Sequence, residues 1–186
     1  MSELIEALRT QTFMQNAVIM GLLASVACGI IGSYVVAKRI VFISGGIAHT
    51  ILAGMGFAYF LGYHPMWGAI PCALLAALII GIITQKTRQR EDTIIGALWA
   101  IGMAVGIIFI SRTPGYNTDL MSYLFGNILM VTQQDIIFIS ILNLVIFLLV
   151  ALFYKQFLAV CFDEEYARLQ GVRVELFYLL LLCLIA

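Results

Sequence analysis

Long uncharged runs of mainly apolar residues divide the chain into regular segments. They lie between Arg9 and Lys38, between Arg39 and Lys86, between Asp92 and Arg112, and between Asp135 and Lys155. A helix needs roughly 20 such residues to cross about 30 Å of hydrocarbon. The second run is long enough for two crossings, and the turn-like residues 62–65 divide it. The pattern therefore predicts five complete membrane spans.

The predicted spans cover approximately residues 14–36, 40–61, 66–84, 93–111 and 136–154. A sixth apolar run begins after Arg173, but only residues 176–186 follow its last charge, which is too short to cross. Residues 120–134 are also uncharged and too short, so we interpret them as a re-entrant or interfacial helix on the outer side. We expect one transmembrane domain over residues 1–186 that is incomplete at its C-terminus.

Composition supports a membrane protein and excludes other classes. Hydrophobic residues make up 63% of the chain and charged residues 11%, against roughly 45–50% and about 25% in soluble domains. Ten cations balance ten acids, so no basic excess is available to bind a nucleic acid. The predicted fold class is an all-α, polytopic integral membrane helix bundle surrounded by lipid, with five complete spans and the start of a sixth.

The cations also predict an orientation, because Lys and Arg in short loops remain on the cytoplasmic side. If the five spans alternate, one side receives eight cations and the other receives two. The eight are Lys38, Arg39, Lys86, Arg88, Arg90, Lys155, Arg168 and Arg173, and the two are Arg9 and Arg112. The count places the N-terminus outside. A crossing by residues 120–134 would divide the cations evenly, which favours the interfacial interpretation.

Small residues recur at four-residue spacing in two spans. Gly21, Ser25 and Gly29 follow this spacing on the first span, and Gly102 and Gly106 follow it on the fourth. Such stripes let membrane helices approach closely. We favour packing within one bundle over a dedicated dimer face.

Polar side chains in or near the spans are the candidate metal ligands. His49 lies roughly at mid-membrane in a glycine-rich helix, where an ionisable residue indicates function and a neutral imidazole can bind a transition metal. The alternative, a histidine hydrogen-bonded to a neighbouring carbonyl or hydroxyl, is equally compatible with the sequence. Asp119 precedes an apolar helical run, which favours helix capping over metal binding. His64, at the outer turn before Pro65, is the fallback ligand.

A charged segment between the fifth span and the last apolar run predicts a short cytoplasmic helix. Asp163, Glu164 and Glu165 occupy its first turn, the small Ala167 lies in its middle, and Gly171 ends it. The alternative is a solvated loop, since a charged connection is expected there.

Taken in order, these motifs resemble the membrane permease of the ABC-3 family of metal importers, which take up zinc, manganese or iron. The resemblance rests on Lys38-Arg39 before FISGGIAHT at 42–50, on EDTIIG at 91–96, on DLMSYLFG at 119–126, and on DEEYA at 163–167 with Gly171. Members of the family are longer and contain further spans.

The resemblance implies a homodimeric permease that binds two cytoplasmic ATPase subunits and receives metal from an extracytoplasmic binding protein. It implies that His49 lines the metal pathway. The family often has an aspartate one helical turn earlier, where this chain has Gly45. It also implies that the segment with Asp163, Glu164, Glu165, Tyr166, Ala167 and Gly171 is the coupling helix that docks into the ATPase, where a larger residue at Ala167 is expected to block docking.

The function expected from this resemblance is transport rather than enzymatic chemistry. The chain contains no GxxxxGK[ST] motif, so a separate subunit would hydrolyse ATP. The expected ion is zinc first, then manganese or iron, with no covalently bound cofactor, and the expected location is a prokaryotic plasma membrane. An ATP-independent secondary metal carrier is the alternative. An intramembrane enzyme using Ser44 and His49 is a distant third, because helix geometry places these residues on diverging faces.

Overall fold

The computed structural model describes residues 10–87, 91–113 and 126–186, and the elements in these ranges are helices joined by turns, without a strand. The long helices are α1 (Thr12–Lys38), α2 (Phe42–Phe60), α3 (Pro65–Thr87), α4 (Glu91–Arg112) and α5 (Gln133–Leu152). Three shorter helices follow: α6 (Tyr154–Phe162), α7 (Glu164–Leu169) and α8 (Val174–Ile185).

Helices α1 to α5 are long and apolar enough to cross a membrane. They coincide with the five predicted spans to within a few residues at each end. The predicted all-α membrane bundle is therefore confirmed. The shorter apolar helix α8 begins directly after Arg173, where the sixth apolar run was expected.

One structural unit comprises the described residues of 34–120 and 155–186, and α2 lies at its centre. Its backbone contacts α3 through two glycines. A Cβ added to Gly54 would lie 2.2 Å from the Gly68 carbonyl oxygen, and one added to Gly68 would lie 1.9 Å from the Gly54 oxygen. No other residue type fits at this crossing without movement of a helix backbone.

The opposite side of α2 packs equally closely against α4. A Cβ at Gly102 would lie 2.5 Å from the Thr50 Cα, and one at Gly106 would lie 2.7 Å from the Leu52 carbonyl oxygen. The prediction that the stripe on the fourth span packs within the bundle is confirmed. For the first span it stays a prediction, since a Cβ at Gly21 or Gly29 would meet no described atom within 4 Å.

The second unit contains the described residues of 1–33 and 121–154, which include most of α1 and all of α5. Amide side chains connect α1 to α5 and to the residues just before α5. The Asn143 Nδ2 donates to the Leu23 carbonyl at 3.0 Å, and the Asn16 Nδ2 donates to the Val131 carbonyl at 3.1 Å. Hydrogen bonds across helices compensate polar groups in the membrane, where water is absent.

The start of α5 lies three residues earlier than expected. Thr132 and Asp135 form a capping box, in which the Thr132 N–H donates to the Asp135 carboxylate at 2.9 Å and the Asp135 N–H donates to the Thr132 hydroxyl at 3.3 Å. Of the predicted re-entrant or interfacial helix, residues 120–125 lie outside the described residues. The described remainder contains one 3₁₀ turn, Ile128–Met130, and the start of α5.

The glycine crossing yields a stability prediction. Gly68→Ala should destabilise the bundle by about 1–3 kcal/mol, because the new methyl group would collide with backbone rather than with a side chain that can move. Thermal unfolding of the detergent-purified protein, followed by the fraction that remains monodisperse, measures the effect. Gly96→Ala is the matched control, since its Cβ meets nothing within 4 Å; equal loss in both variants would contradict the close approach.

Candidate functional site

His49 lies in α2 and is oriented by stacking on an aromatic ring of α4. The ring centroids of His49 and Trp99 are 4.3 Å apart and the ring planes differ by 8°. The Nδ1 atom of His49 is buried and has no hydrogen-bond partner among the described residues. At this nitrogen the structure therefore lacks the hydrogen bond that the structural alternative requires.

Space remains open beside His49 on its own helix. Gly45 lies one turn earlier, on the same face, and a Cβ there would meet nothing within 4 Å. The neighbouring Thr50 hydroxyl is already used, since it donates to the Gly46 carbonyl at 2.7 Å. The Thr50 hydroxyl is thus engaged with the backbone, whereas no described atom lies within 4 Å of a Cβ at Gly45.

The described residues do not complete a metal site around this histidine. They bring together no group of three or more His, Cys, Asp and Glu side chains that could hold an ion. Asp119 lies outside the described residues. His64 is exposed at the start of α3, where its Nδ1 accepts a long 3.4 Å contact from the Met66 N–H. It lies beyond the far end of α2, whose last residue, Phe60, is already about 16 Å from His49 at 1.5 Å per residue.

The nucleophile pair that an intramembrane hydrolase would need is not formed. The Ser44 hydroxyl donates to the Val41 carbonyl at 3.3 Å and its side chain is exposed. A serine nucleophile requires its base within hydrogen-bond reach. The Ser44 hydroxyl is thus bonded to a backbone carbonyl rather than to His49.

The charged segment after α6 forms the short capped helix that the sequence predicts. The Asp163 carboxylate accepts a hydrogen bond from the Tyr166 N–H at 2.9 Å and so caps α7. Gly171 ends it with φ of 77°, a left-handed conformation that favours glycine. The solvated-loop alternative is therefore excluded for residues 164–169.

Ala167 points into the chain and not toward solvent, since its exposed fraction is 0%. A larger residue there would act by disturbing the packing beneath α7. The outward surface of α7 comes from Tyr166 and Leu169, which share one face at a spacing of three residues and are 55% and 86% exposed. We call Glu165, Tyr166 and Leu169 the docking face.

Sequence reasoning missed Leu169 as part of this surface. Its signal was an apolar residue at helical spacing from Tyr166 in an otherwise charged segment. Phe162, at the end of α6, is similarly exposed at 74%. Leu169 and Phe162 thus add apolar surface beside the charged side chains of α7.

Two ion pairs connect α7 to neighbouring helices. Glu164 pairs with Lys38 at the end of α1, and Arg168 pairs with Glu175 of α8 at 2.8 Å. A groove of about 1210 Å³ lies beside these pairs and is lined by both charge signs.

Cys161, next to the groove, is buried in α6. Burial raises the pKa of the Cys161 thiol, which disfavours the reactive thiolate form.

Comparison with known proteins identifies relatives over nearly the whole chain. The sequence model of the ABC 3 transport family matches residues 10–186. A probable metal transport system membrane protein of Chlamydia trachomatis is 51% identical over 88% of this chain. The manganese transport system membrane protein MntC of Listeria monocytogenes is 35% identical over 97% of it.

A solved structure agrees in fold. PsaBC from Streptococcus pneumoniae, in complex with Fab, superposes with a TM-score of 0.82 and 34% identity over 99% of this chain and 66% of that chain. This chain spans 58% of the Chlamydia protein and 64% of the Listeria protein. The similarity therefore extends along this chain but covers only part of each relative.

The cap of α7 yields a prediction about local stability. Asp163→Ala should raise hydrogen exchange at the amides of α7 about fivefold, because loss of an N-cap costs about 1 kcal/mol. Asp163→Asn is the matched control, since asparagine caps equally well. Unchanged exchange in both variants would show that the carboxylate does not hold the helix start.

Proposed function

Because this chain belongs to the ABC 3 transport family, we propose that it forms the membrane-spanning permease of an ATP-driven importer of divalent metal ions. The observation that carries the proposal is the buried Nδ1 of His49, which has no hydrogen-bond partner in the described part of the chain and lies in a helix long enough to span a membrane. Burying a polar atom without a partner costs free energy. A transported ion that binds this nitrogen in transit would offset the cost.

Manganese is the first candidate ion, and zinc and iron follow. The Listeria relative, a manganese transport system membrane protein, supports manganese. Imidazole suits zinc and iron, while manganese prefers carboxylate, carbonyl and water oxygens beside it. With Gly45 in place of the family aspartate, those oxygens must come from elsewhere; Asp119 is the proposed source, and His64 is the fallback ligand.

The proposed orientation places the N-terminus outside and α6 and α7 in the cytoplasm, with α8 as the start of a sixth span. The division of eight cations against two supports it. In this orientation the docking face meets a cytoplasmic ATPase subunit, and the outer side receives metal from an extracytoplasmic binding protein. A second permease copy completes the transporter in a bacterial plasma membrane.

The permease itself would carry out no covalent chemistry. ATP binding and hydrolysis in the partner would move α7, and rigid-body displacement of helices would switch access to His49 between the two sides. The close backbone contacts of α2 with α3 and α4 make these helices move together.

The metal pathway is tested at the two histidines. In cells that express the full-length permease, His49→Ala should reduce uptake of radioactive manganese and zinc by at least about tenfold, the loss of roughly 1.4 kcal/mol or more of ion stabilisation. His64→Ala, at an exposed turn, is the matched control and should leave uptake near normal. Normal uptake by His49→Ala at normal protein level would refute the pathway assignment.

The docking face is tested at its most exposed apolar residue. Leu169→Glu should prevent co-purification of the ATPase, because a buried unpaired carboxylate is costly at an apolar contact. The control is Leu169→Met, which keeps the side chain apolar and of similar size. Equal recovery of the ATPase with both variants would remove α7 from the interface.

A further inference from the structure

Lys38 joins three helices at the cytoplasmic end of α1. Its ammonium pairs with Glu164 of α7 and donates to the Val160 carbonyl of α6 at 3.1 Å. It also lies 5.6 Å from the centroid of the Tyr178 ring of α8, within the range of a cation–π contact. One cation thus contacts every helix of the segment 154–185.

The Lys38–Glu164 pair differs from an ordinary surface ion pair. The Lys38 side chain is only 14% exposed, whereas both partners of the Arg168–Glu175 pair are more than half exposed, at 57% and 53%. Exposed pairs contribute little, because water screens them and two flexible side chains must be ordered. The Lys38–Glu164 pair is therefore expected to stabilise the position of α7 more than the Arg168–Glu175 pair does.

The backbone beside Lys38 leads directly into the helix that carries His49. Arg39 has a φ of 63°, which is uncommon for a residue with a side chain. The Arg39 N–H donates to the Val36 carbonyl and the Ile40 N–H to the Val35 carbonyl, both at 3.1 Å. These bonds end α1 and turn the chain into α2. The turn is anchored by Ile40, which is 3% exposed.

We propose that Lys38 is a positioning residue that links α7 to α2, so that displacement of α7 moves the helix carrying His49. Three residues separate Lys38 from the start of α2, and His49 lies about 10 Å further along that helix at 1.5 Å per residue. The inference rests on the proposed docking of α7 to an ATPase. Lys38 touches neither the ion nor the ATPase in this scheme.

The experiment uses the full-length permease with its ATPase and binding protein in proteoliposomes, supplied with manganese. Lys38→Met keeps the apolar stem and removes the charge; Glu164→Gln removes the opposite charge. Each should lower the manganese taken up per ATP hydrolysed by about threefold to tenfold, which lies within the roughly twofold to thirtyfold by which mutations change coupling between sites. ATPase co-purification should be unchanged.

A double-mutant cycle isolates the pair. If the two charges act together, Lys38→Met with Glu164→Gln should impair coupling no more than the worse single variant. Lys155→Met is the matched control, because it removes an exposed cation from α6 and should behave as wild type. Additive losses in the cycle, or equal losses in the Lys155 control, would overturn the proposal.

The remaining outcomes distinguish failure of this inference from failure of the proposed docking of α7 to the ATPase. Normal uptake per ATP in Lys38→Met, with Leu169→Glu still blocking ATPase binding, would refute the linkage alone. Normal ATPase binding by Leu169→Glu would refute the docking role. If the Lys38→Met protein does not accumulate, Glu164→Gln, at a half-exposed position, provides the test. Wild-type manganese uptake per ATP in Glu164→Gln would then refute the linkage.

Discussion

Contact between glycine backbones is the constraint on which this bundle depends. In a bilayer, apolar side chains gain little by leaving lipid for a helix interface, so association depends on close packing. Gly54 with Gly68 on one side, and Gly56 with Gly106 on the other, bring α2 into backbone contact with both neighbours. The helix that carries His49 is thereby the most tightly held of its unit.

The sequence predicted the spans well because the thickness of the bilayer dictates their length. The predicted start of α5 was three residues too late, because the span was taken to begin after the charge of Asp135. The capping box of Thr132 and Asp135, which marks the true start, was overlooked. It also could not distinguish the two small-residue stripes. Spacing shows that a helix can be approached closely, but the approaching partner is set by tertiary packing, which favoured Gly102 and left Gly21 without a described neighbour.

The candidate sites were predicted in part for a similar reason. His49 stood out because an ionisable residue in a span is costly, and the capping residues around α7 have local signatures. Trp99 lies fifty positions from His49, and no pattern in one sequence connects them. The burial of Ala167 and the exposure of Leu169 were equally hidden, because an isolated short helix gives no indication of which face its own chain covers.

The parallel rings of His49 and Trp99 have a consequence for ion geometry. The lone pair of an imidazole nitrogen lies in the ring plane, and that plane is within 8° of the indole plane. An ion on Nδ1 would therefore be bound in a plane parallel to the indole ring, and its bond to the nitrogen would not point at the indole face. The stack with Trp99 would in this way fix the plane in which the histidine presents its nitrogen.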